Sequence, residues 1–323
     1  MDNVLVLFET DPVFRADLNA ILSDFNVVFH ESGDTSSIDA ETAKNTVAIF
    51  GNPKVGFLTL CPRLRWLQLQ TAGANDYVNG ELADNVMLSC ATGVYGHAVS
   101  EHMLALTCEL LKKLHLYRDE QAVGRWKERG KVKSIRNAVV LVIGLGDIGS
   151  AYARCMKALG AYVIGIRRTA HAKPDYMDEL LLPSQLEDAL PRADVIAMAV
   201  PATKETAGLI SRSQLAKMKK DAVIINAGRG SCIDTDALCD ALESGSLGGA
   251  GLDVTDPEPL PADHRLWKLE NAVITPHVAG ARFMKETGEY MMKINLENAR
   301  RFILNEPLEN LVDYKTGYRM TKE

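Results

Sequence analysis

Short apolar runs rich in β-branched residues alternate along the chain with segments whose apolar residues recur every three to four positions. This is the pattern of a parallel sheet covered by helices. The first series predicts strands at Val4–Phe8, Val27–Phe29, Val47–Phe50, Leu67–Leu69 and Val86–Leu88, enough for one open sheet of about five strands. A second series predicts strands at Val139–Ile143, Tyr162–Ile166, Val195–Ala199, Ala222–Asn226, Gly249–Val254 and Ala272–Thr275, a set that suits a complete dinucleotide-binding fold. Between the two series, a helix predicted over His97–Tyr117 carries Val99, Met103, Leu104, Leu106, Leu110, Leu111 and Leu114. That band is wider than one core-facing stripe, so burial on more than one side is expected. The spacing also predicts a last helix over Lys285–Leu304.

Composition narrows the class. At 323 residues, with 47% hydrophobic and 24% charged, the chain is long enough for two domains and close to the globular average. No stretch approaches the roughly 18 uninterrupted apolar residues of a membrane span. The opening run Val4–Phe8 is followed by Glu9 and Asp11, which suits a first strand better than a signal peptide. Six cysteines are scattered without CxxC spacing, so reduced thiols in a cytoplasmic protein are expected rather than a disulfide framework or a zinc site. A net charge of −6, with no basic run of the kind that neutralises phosphates, disfavours nucleic acid and leaves small molecules as partners.

The chemistry begins where the Val139–Ile143 strand runs into Gly144, Gly146 and Gly149 and then a helix, the context in which a glycine-rich turn cradles a pyrophosphate at a helix N-terminus. An acidic residue is expected about 20 positions on, to bond the ribose hydroxyls of NAD. Arg167 stands there instead, followed by Arg168 and Thr169, a set that suits the 2′-phosphate of NADP, although strand-end arginines are also commonly just solvated. Three more segments at strand ends are polar: Arg229 between Gly228 and Gly230, Asp253 and Glu258 around Pro257, and His277 after Pro276 and ahead of Gly280. Taken singly, Arg229 also suits an ion pair, Glu258 an exposed loop acid and His277 a satisfied buried histidine. Together at one sheet edge they suit an anionic substrate with a proton to move.

In this order, Gly144-x-Gly146-x-x-Gly149, Asn226-x-x-Arg229-Gly230, Asp253 with Glu258 five residues on, and Pro276-His277 resemble the D-isomer-specific 2-hydroxyacid dehydrogenases, most of all the short glyoxylate and hydroxypyruvate reductases. Gln70–Asp76, Thr92–His102 and Asn305–Asp313 extend the resemblance over nearly the whole chain. It implies a Rossmann nucleotide domain (98–280) inserted into a smaller flavodoxin-like substrate domain (1–97 and 281–323), a homodimer, and reduction of 2-oxo acids to D-2-hydroxy acids by NADPH, with NAD a further option. By the same resemblance Arg229 binds the substrate carboxylate and carbonyl, His277 is the general acid/base, Glu258 holds and charges it, and the backbone at Ala72 and Gly73 receives the carboxylate. The cofactor set it implies is Gly144, Gly146, Asp147, Ile148, Gly149, Arg167, Arg168, Thr169, Pro201, Thr206, Ala227, Asp253 and Gly280.

A second class is a nicotinamide-sensing interaction protein similar to the C-terminal-binding corepressors, which share the fold and the triad; cofactor-dependent assembly with negligible turnover would mark it. The loop Gly51–Phe57 and the segment Ala281–Glu286 are expected to shape the side-chain pocket. His97 and His102 mimic a zinc-peptidase motif, but at about 100° per residue they point roughly 140° apart, so no metal is expected there. His171 and the remaining histidines have no partner pattern and read as surface or core residues.

Overall fold

The first series of apolar runs pairs side by side, every neighbour parallel, in a computed structural model that describes residues 1–78, 80, 82–83, 85–169, 172–280, 284–315, 317 and 319–320. His171 and the first three residues of the segment Ala281–Glu286 lie outside the described residues. The chain forms two units, Met1–Tyr95 with Phe283–Glu323, and Gly96–Arg282. Among the described residues no helix is long and apolar enough to cross a membrane.

In the first unit β1 (Asn3–Val6), β2 (Asn26–Phe29), β3 (Thr46–Phe50), β4 (Trp66–Gln68) and β5 (Met87–Ser89) lie in the order β2-β1-β3-β4-β5. Several strands take in polar residues that hydropathy left out, because hydrogen bonds satisfy them. Asn3 Nδ2 donates to the Thr42 carbonyl at 3.1 Å, and Thr46 Oγ1 to the same oxygen at 2.8 Å. The helix Pro12–Ile21 starts at Asp11, whose carboxylate accepts from Phe14 N at 2.8 Å, with proline at the first helical position where no N–H is needed.

The chain returns to this unit at its end. The helix Lys285–Leu304, as the spacing predicts, lays Ala299 and Phe302 on the sheet, where the Phe302 ring is 5.1 Å from Trp66 and Phe50 meets Trp66 edge-on at 4.7 Å. A buried polar chain fixes the register. Trp66 Nε1 donates to Ser89 Oγ (2.8 Å), Ser89 Oγ to Gln68 Oε1 (2.7 Å), and Asn298 Nδ2 to the same Gln68 oxygen (2.7 Å), while Asn298 Oδ1 accepts from Glu309 N (2.7 Å). These groups have no water to fall back on, so each depends on the others.

The second unit opens with a helix over Gly96–Lys112 whose residues Val99, Met103, Leu106, Leu110 and Leu111 are buried. The single helix expected to Tyr117 is broken at Lys113, which adopts a left-handed φ of 58° before a second helix runs over Leu114–Ala122. Nothing local marks the break; Lys113 Nζ bonds the distant Arg129 carbonyl at 2.6 Å, and Leu114, expected in the band, is 52% exposed.

Among the described residues seven parallel strands follow: β6 (Val139–Ile143), β7 (Tyr162–Ile166), β8 (Glu179–Leu181), β9 (Val195–Met198), β10 (Val223–Asn226), β11 (Gly249–Leu252) and β12 (Ala272–Ile274), in the order β12-β11-β10-β9-β6-β7-β8. Six were expected; β8 was missed because it is three half-buried residues led by a glutamate and carries no strand signature. The central strands read as continuous apolar runs because both their faces are covered.

Replacing Asn298 by Ala leaves the Gln68 side-chain oxygen with Ser89 as its donor and takes from the half-buried Glu309 amide its acceptor. The expected loss is about 2–3 kcal/mol of unfolding free energy, read as a lower urea midpoint by tryptophan fluorescence; an unchanged midpoint would contradict the role given to this network.

Candidate functional site

The second sheet reverses its strand order between β6 and β9, and the crevice outside the strand ends at such a point is where open α/β sheets bind ligands. The turn after β6 fills it. Gly144 N is held by the Ile166 carbonyl at 3.0 Å, and a Cβ on Gly149 would lie 1.8 Å from the Gly144 carbonyl oxygen, so only glycine lets the helix Asp147–Ala158 close on the turn. Gly146 caps that helix without any side-chain hydrogen bond, which leaves its first-turn amides and the positive end of its dipole for an anion. A dinucleotide pyrophosphate fits this turn. Ile148 is half-buried beside it, and the Asp147 carboxylate packs against Gly96 at the start of the Gly96–Lys112 helix.

At the end of β7 Arg167 is half-buried, with its amide bonded to the Leu181 carbonyl at 3.2 Å, and Arg168 and Thr169 are exposed. Glu205, across the sheet in the loop after β9, is held below the usual carboxylate range by a hydrogen bond from Thr203 and by the charges of Lys204 and Arg168. In that loop Thr206 Oγ1 donates to the Pro201 carbonyl at 2.6 Å and accepts from Thr203 N at 2.8 Å, so its hydroxyl is used to fold the loop. Ala227 follows β10, its amide bonded to Met198 O at 3.2 Å, and Gly280 is half-buried after the His277 turn.

The remaining polar residues meet at the same edge. Asn226, buried at the end of β10, accepts from Gly228 N at 3.0 Å and donates to the Arg229 carbonyl at 2.9 Å, which curls the chain so that Arg229 leaves the strand half-buried. Its guanidinium bonds the Gly228 carbonyl at 2.7 Å. A Cβ on Gly230 would fall 2.0 Å from the Thr255 backbone, so this loop and the one carrying Glu258 are packed main chain to main chain. Thr235 Oγ1 secures the second loop through the Asp256 carbonyl at 2.9 Å. Burial raises the Cys232 thiol, offset in part by Thr206 and Arg229, so no thiolate is prepared here.

His277 and Glu258 form an ion pair, Nδ1 to Oε1 at 2.5 Å, with side chains 48% and 41% exposed. With Nδ1 engaged by a carboxylate, the ring's Nε2 is the atom left to give or take a proton. His277 has a left-handed φ of 53°, and the turn is held by Asp253. That carboxylate, 2% exposed, accepts from Thr275 Oγ1 (2.6 Å), Val278 N (2.9 Å) and Ala279 N (3.0 Å), and its own carbonyl accepts from His277 N at 2.8 Å. Asp253, expected among the cofactor contacts, is therefore an anchor whose oxygens are committed to the protein. Asn226, Thr235 and Thr275 were given no role by sequence reasoning; a polar residue at the end of an apolar strand is the signal that Asn226 and Thr275 offer, and Thr235, at the start of the helix Thr235–Glu243, offers none. Ala72 and Gly73 lie in the first unit, after β4, where Thr71 Oγ1 bonds the Gly73 carbonyl at 2.8 Å and Asn52 Oδ1 accepts from Gln70 N at 2.9 Å.

Comparison with known proteins gives the family. The chain is 32% identical over 280 residues to glyoxylate/hydroxypyruvate reductase B of Pectobacterium carotovorum subsp. carotovorum (strain PC1), covering 84% of this chain and 86% of that protein. The crystal structure of a D-isomer specific 2-hydroxyacid dehydrogenase family protein from Aeromonas salmonicida subsp. salmonicida A449 superposes with a TM-score of 0.85 at 28% identity, over 97% of this chain and 99% of that one. A D-isomer specific 2-hydroxyacid dehydrogenase from Xanthobacter autotrophicus Py2, solved with NADPH and MES, gives 0.81 at 26% identity over 98% and 99%. Residues 104–279 match the family model "D-isomer specific 2-hydroxyacid dehydrogenase, NAD binding domain", and the chain belongs to the D-isomer specific 2-hydroxyacid dehydrogenase family.

Proposed function

We propose that the protein reduces small 2-oxo acids, glyoxylate and hydroxypyruvate among them, to D-2-hydroxy acids with NADPH. The observation that carries this reading is the His277–Glu258 pair, set on a turn anchored by Asp253 at the strand edge that also carries Arg229 and the glycine turn. The activity for which the Pectobacterium relative is named supports the substrate class, and the NADPH in the Xanthobacter structure supports the cofactor. In this reading 98–280 is the nucleotide domain and 1–97 with 281–323 the substrate domain.

Gly144, Gly146, Ile148 and Gly149 would hold the pyrophosphate, and Arg167, Arg168 and Thr169 the 2′-phosphate, with Pro201, Ala227 and Gly280 beside the dinucleotide. When bound, the nicotinamide supplies the hydride. Arg229 pairs with the substrate carboxylate and faces the carbonyl oxygen, and the backbone at Ala72 and Gly73 offers further donors to the carboxylate. As hydride reaches the carbonyl carbon, the oxygen gains charge. Arg229 stabilises that charge and His277 gives it the Nε2 proton, so both act more strongly on the transition state than on the ground state. Glu258 holds the ring through Nδ1 for the next cycle, in which Nε2 is reprotonated from solvent.

Six free cysteines fit a reducing cytoplasm. Trp126, Val123 and Leu114 are all more than half exposed on one segment, which supports a homodimer. Sedimentation should give twice the chain mass of 35.4 kDa, and a monomer at micromolar concentration would overturn this part of the reading.

His277→Ala should lower turnover of glyoxylate or hydroxypyruvate by roughly 10²-fold or more with little change in cofactor affinity. Equal turnover in wild type and variant would reject the assignment, and negligible turnover in wild type with cofactor-driven assembly would favour a nicotinamide sensor. For the cofactor, wild type should prefer NADPH over NADH by about tenfold to a hundredfold in kcat/KM. Arg167→Asp with Arg168→Ala should move that preference toward NADH; equal use of both cofactors by wild type would make the two arginines ordinary surface residues.

A further inference from the structure

A second histidine reaches the anchor of the His277 turn from the opposite side. His102, on the Gly96–Lys112 helix and three-quarters buried, places Nε2 2.9 Å from Thr275 Oγ1 and 3.6 Å from Asp253 Oδ1. The direction of the bond follows from proton counting. The Thr275 hydroxyl has one hydrogen, given to Asp253 Oδ1 at 2.6 Å, so toward His102 the oxygen is an acceptor and Nε2 must be the donor. Asp253 receives this donor's influence together with the amides of Val278 and Ala279. Among the described residues His102 is the only basic side chain within ion-pair reach of that buried carboxylate. The donors converge on Asp253: His102 gives to Thr275 and Thr275 to the carboxylate, which the amides of the turn meet from the backbone. That carboxylate sets the backbone on which His277 stands at positive φ.

We infer that His102 is a positioning residue for His277: its Nε2–H orients the Thr275 hydroxyl, which aligns the Asp253 carboxylate and so fixes the aim of the His277 ring. This rests on the reading of His277 as the proton donor. It gives the His97–His102 sequence a purpose unlike the metal pair it mimics, since only the second histidine faces the network, while His97, half exposed, pairs with Glu101 at 3.4 Å.

The test compares His102→Leu, His102→Gln and Thr275→Val with wild type and His277→Ala, measuring kcat and KM for glyoxylate and hydroxypyruvate with NADPH, and NADPH affinity by fluorescence titration. Leucine removes the donor, and glutamine restores an N–H at similar reach. The expected result is a kcat about tenfold lower in His102→Leu and Thr275→Val, the scale of a small misplacement of a reacting group. NADPH affinity should stay within about twofold of wild type, and His102→Gln should recover most of the lost kcat. Unchanged kcat in His102→Leu overturns the inference, and so does a loss that tracks NADPH affinity and is not rescued by glutamine, which would make His102 a packing residue. Should His102→Leu not fold, Thr275→Val decides: unchanged kcat, or a loss that tracks NADPH affinity, overturns the inference. Absence of turnover in wild type, or its persistence in His277→Ala, would instead strike the proposed function itself.

Discussion

A charge buried at the end of β11 constrains the whole reactive edge. A carboxylate taken out of water costs several kcal/mol unless donors surround it, and Asp253 is surrounded only when Thr275, Val278 and Ala279 all turn inward. The backbone between them has no other course than the tight turn it takes, with His277 at its apex in a left-handed conformation that a free chain seldom adopts. A strained apex held by an over-satisfied base is a way of keeping a side chain pointed while it remains exposed.

The same division of labour recurs at the neighbouring strand. Asn226 is buried and spends its amide on the Gly228–Arg229 backbone, leaving the arginine to emerge. Glu258 sits on a loop whose main chain is pressed against Gly230 and tied to Thr235. In each case the group fit to meet a ligand is the accessible one, and the group that decides where it points is sealed below it. Asn298 does the corresponding work in the first unit, where it ties Gln68, just ahead of the Gln70–Asp76 loop, to the last helix.

How much of this could be read in advance follows from where the information is stored. The central strands were legible because parallel strands buried on both faces, such as β6 and β10, are written as runs of Val, Ile and Leu, and the glycine turn because its backbone geometry excludes other residues. Arg229, Glu258 and His277 were singled out as polar residues at strand ends. The strand β8 was not legible, since Glu179 hides it, nor was the break at Lys113, whose left-handed backbone no neighbouring residue announces. The buried polar anchors escaped for a related reason. Thr275 and His102 are 173 residues apart, and neither has a neighbour in sequence that announces the bond. The bonds of Asp253 to Thr275, Val278 and Ala279 were not legible either, because a carboxylate facing a ligand and one facing its own backbone are spelled alike.

The return of the chain to its first unit carries a consequence for synthesis. Trp66 packs on Phe302, and Gln68 waits for Asn298, a partner 230 residues downstream. On the ribosome the first five strands therefore emerge with one face of their sheet covered only in part, by the helix Pro12–Ile21, while every residue of the second unit is translated before the helix that completes the first. The nascent protein spends most of its elongation with the Trp66 side of that sheet short of its cover, a state that calls for either slow collapse or a chaperone, and removal of the last forty or so residues would take away half of the cover on that face rather than trim a tail.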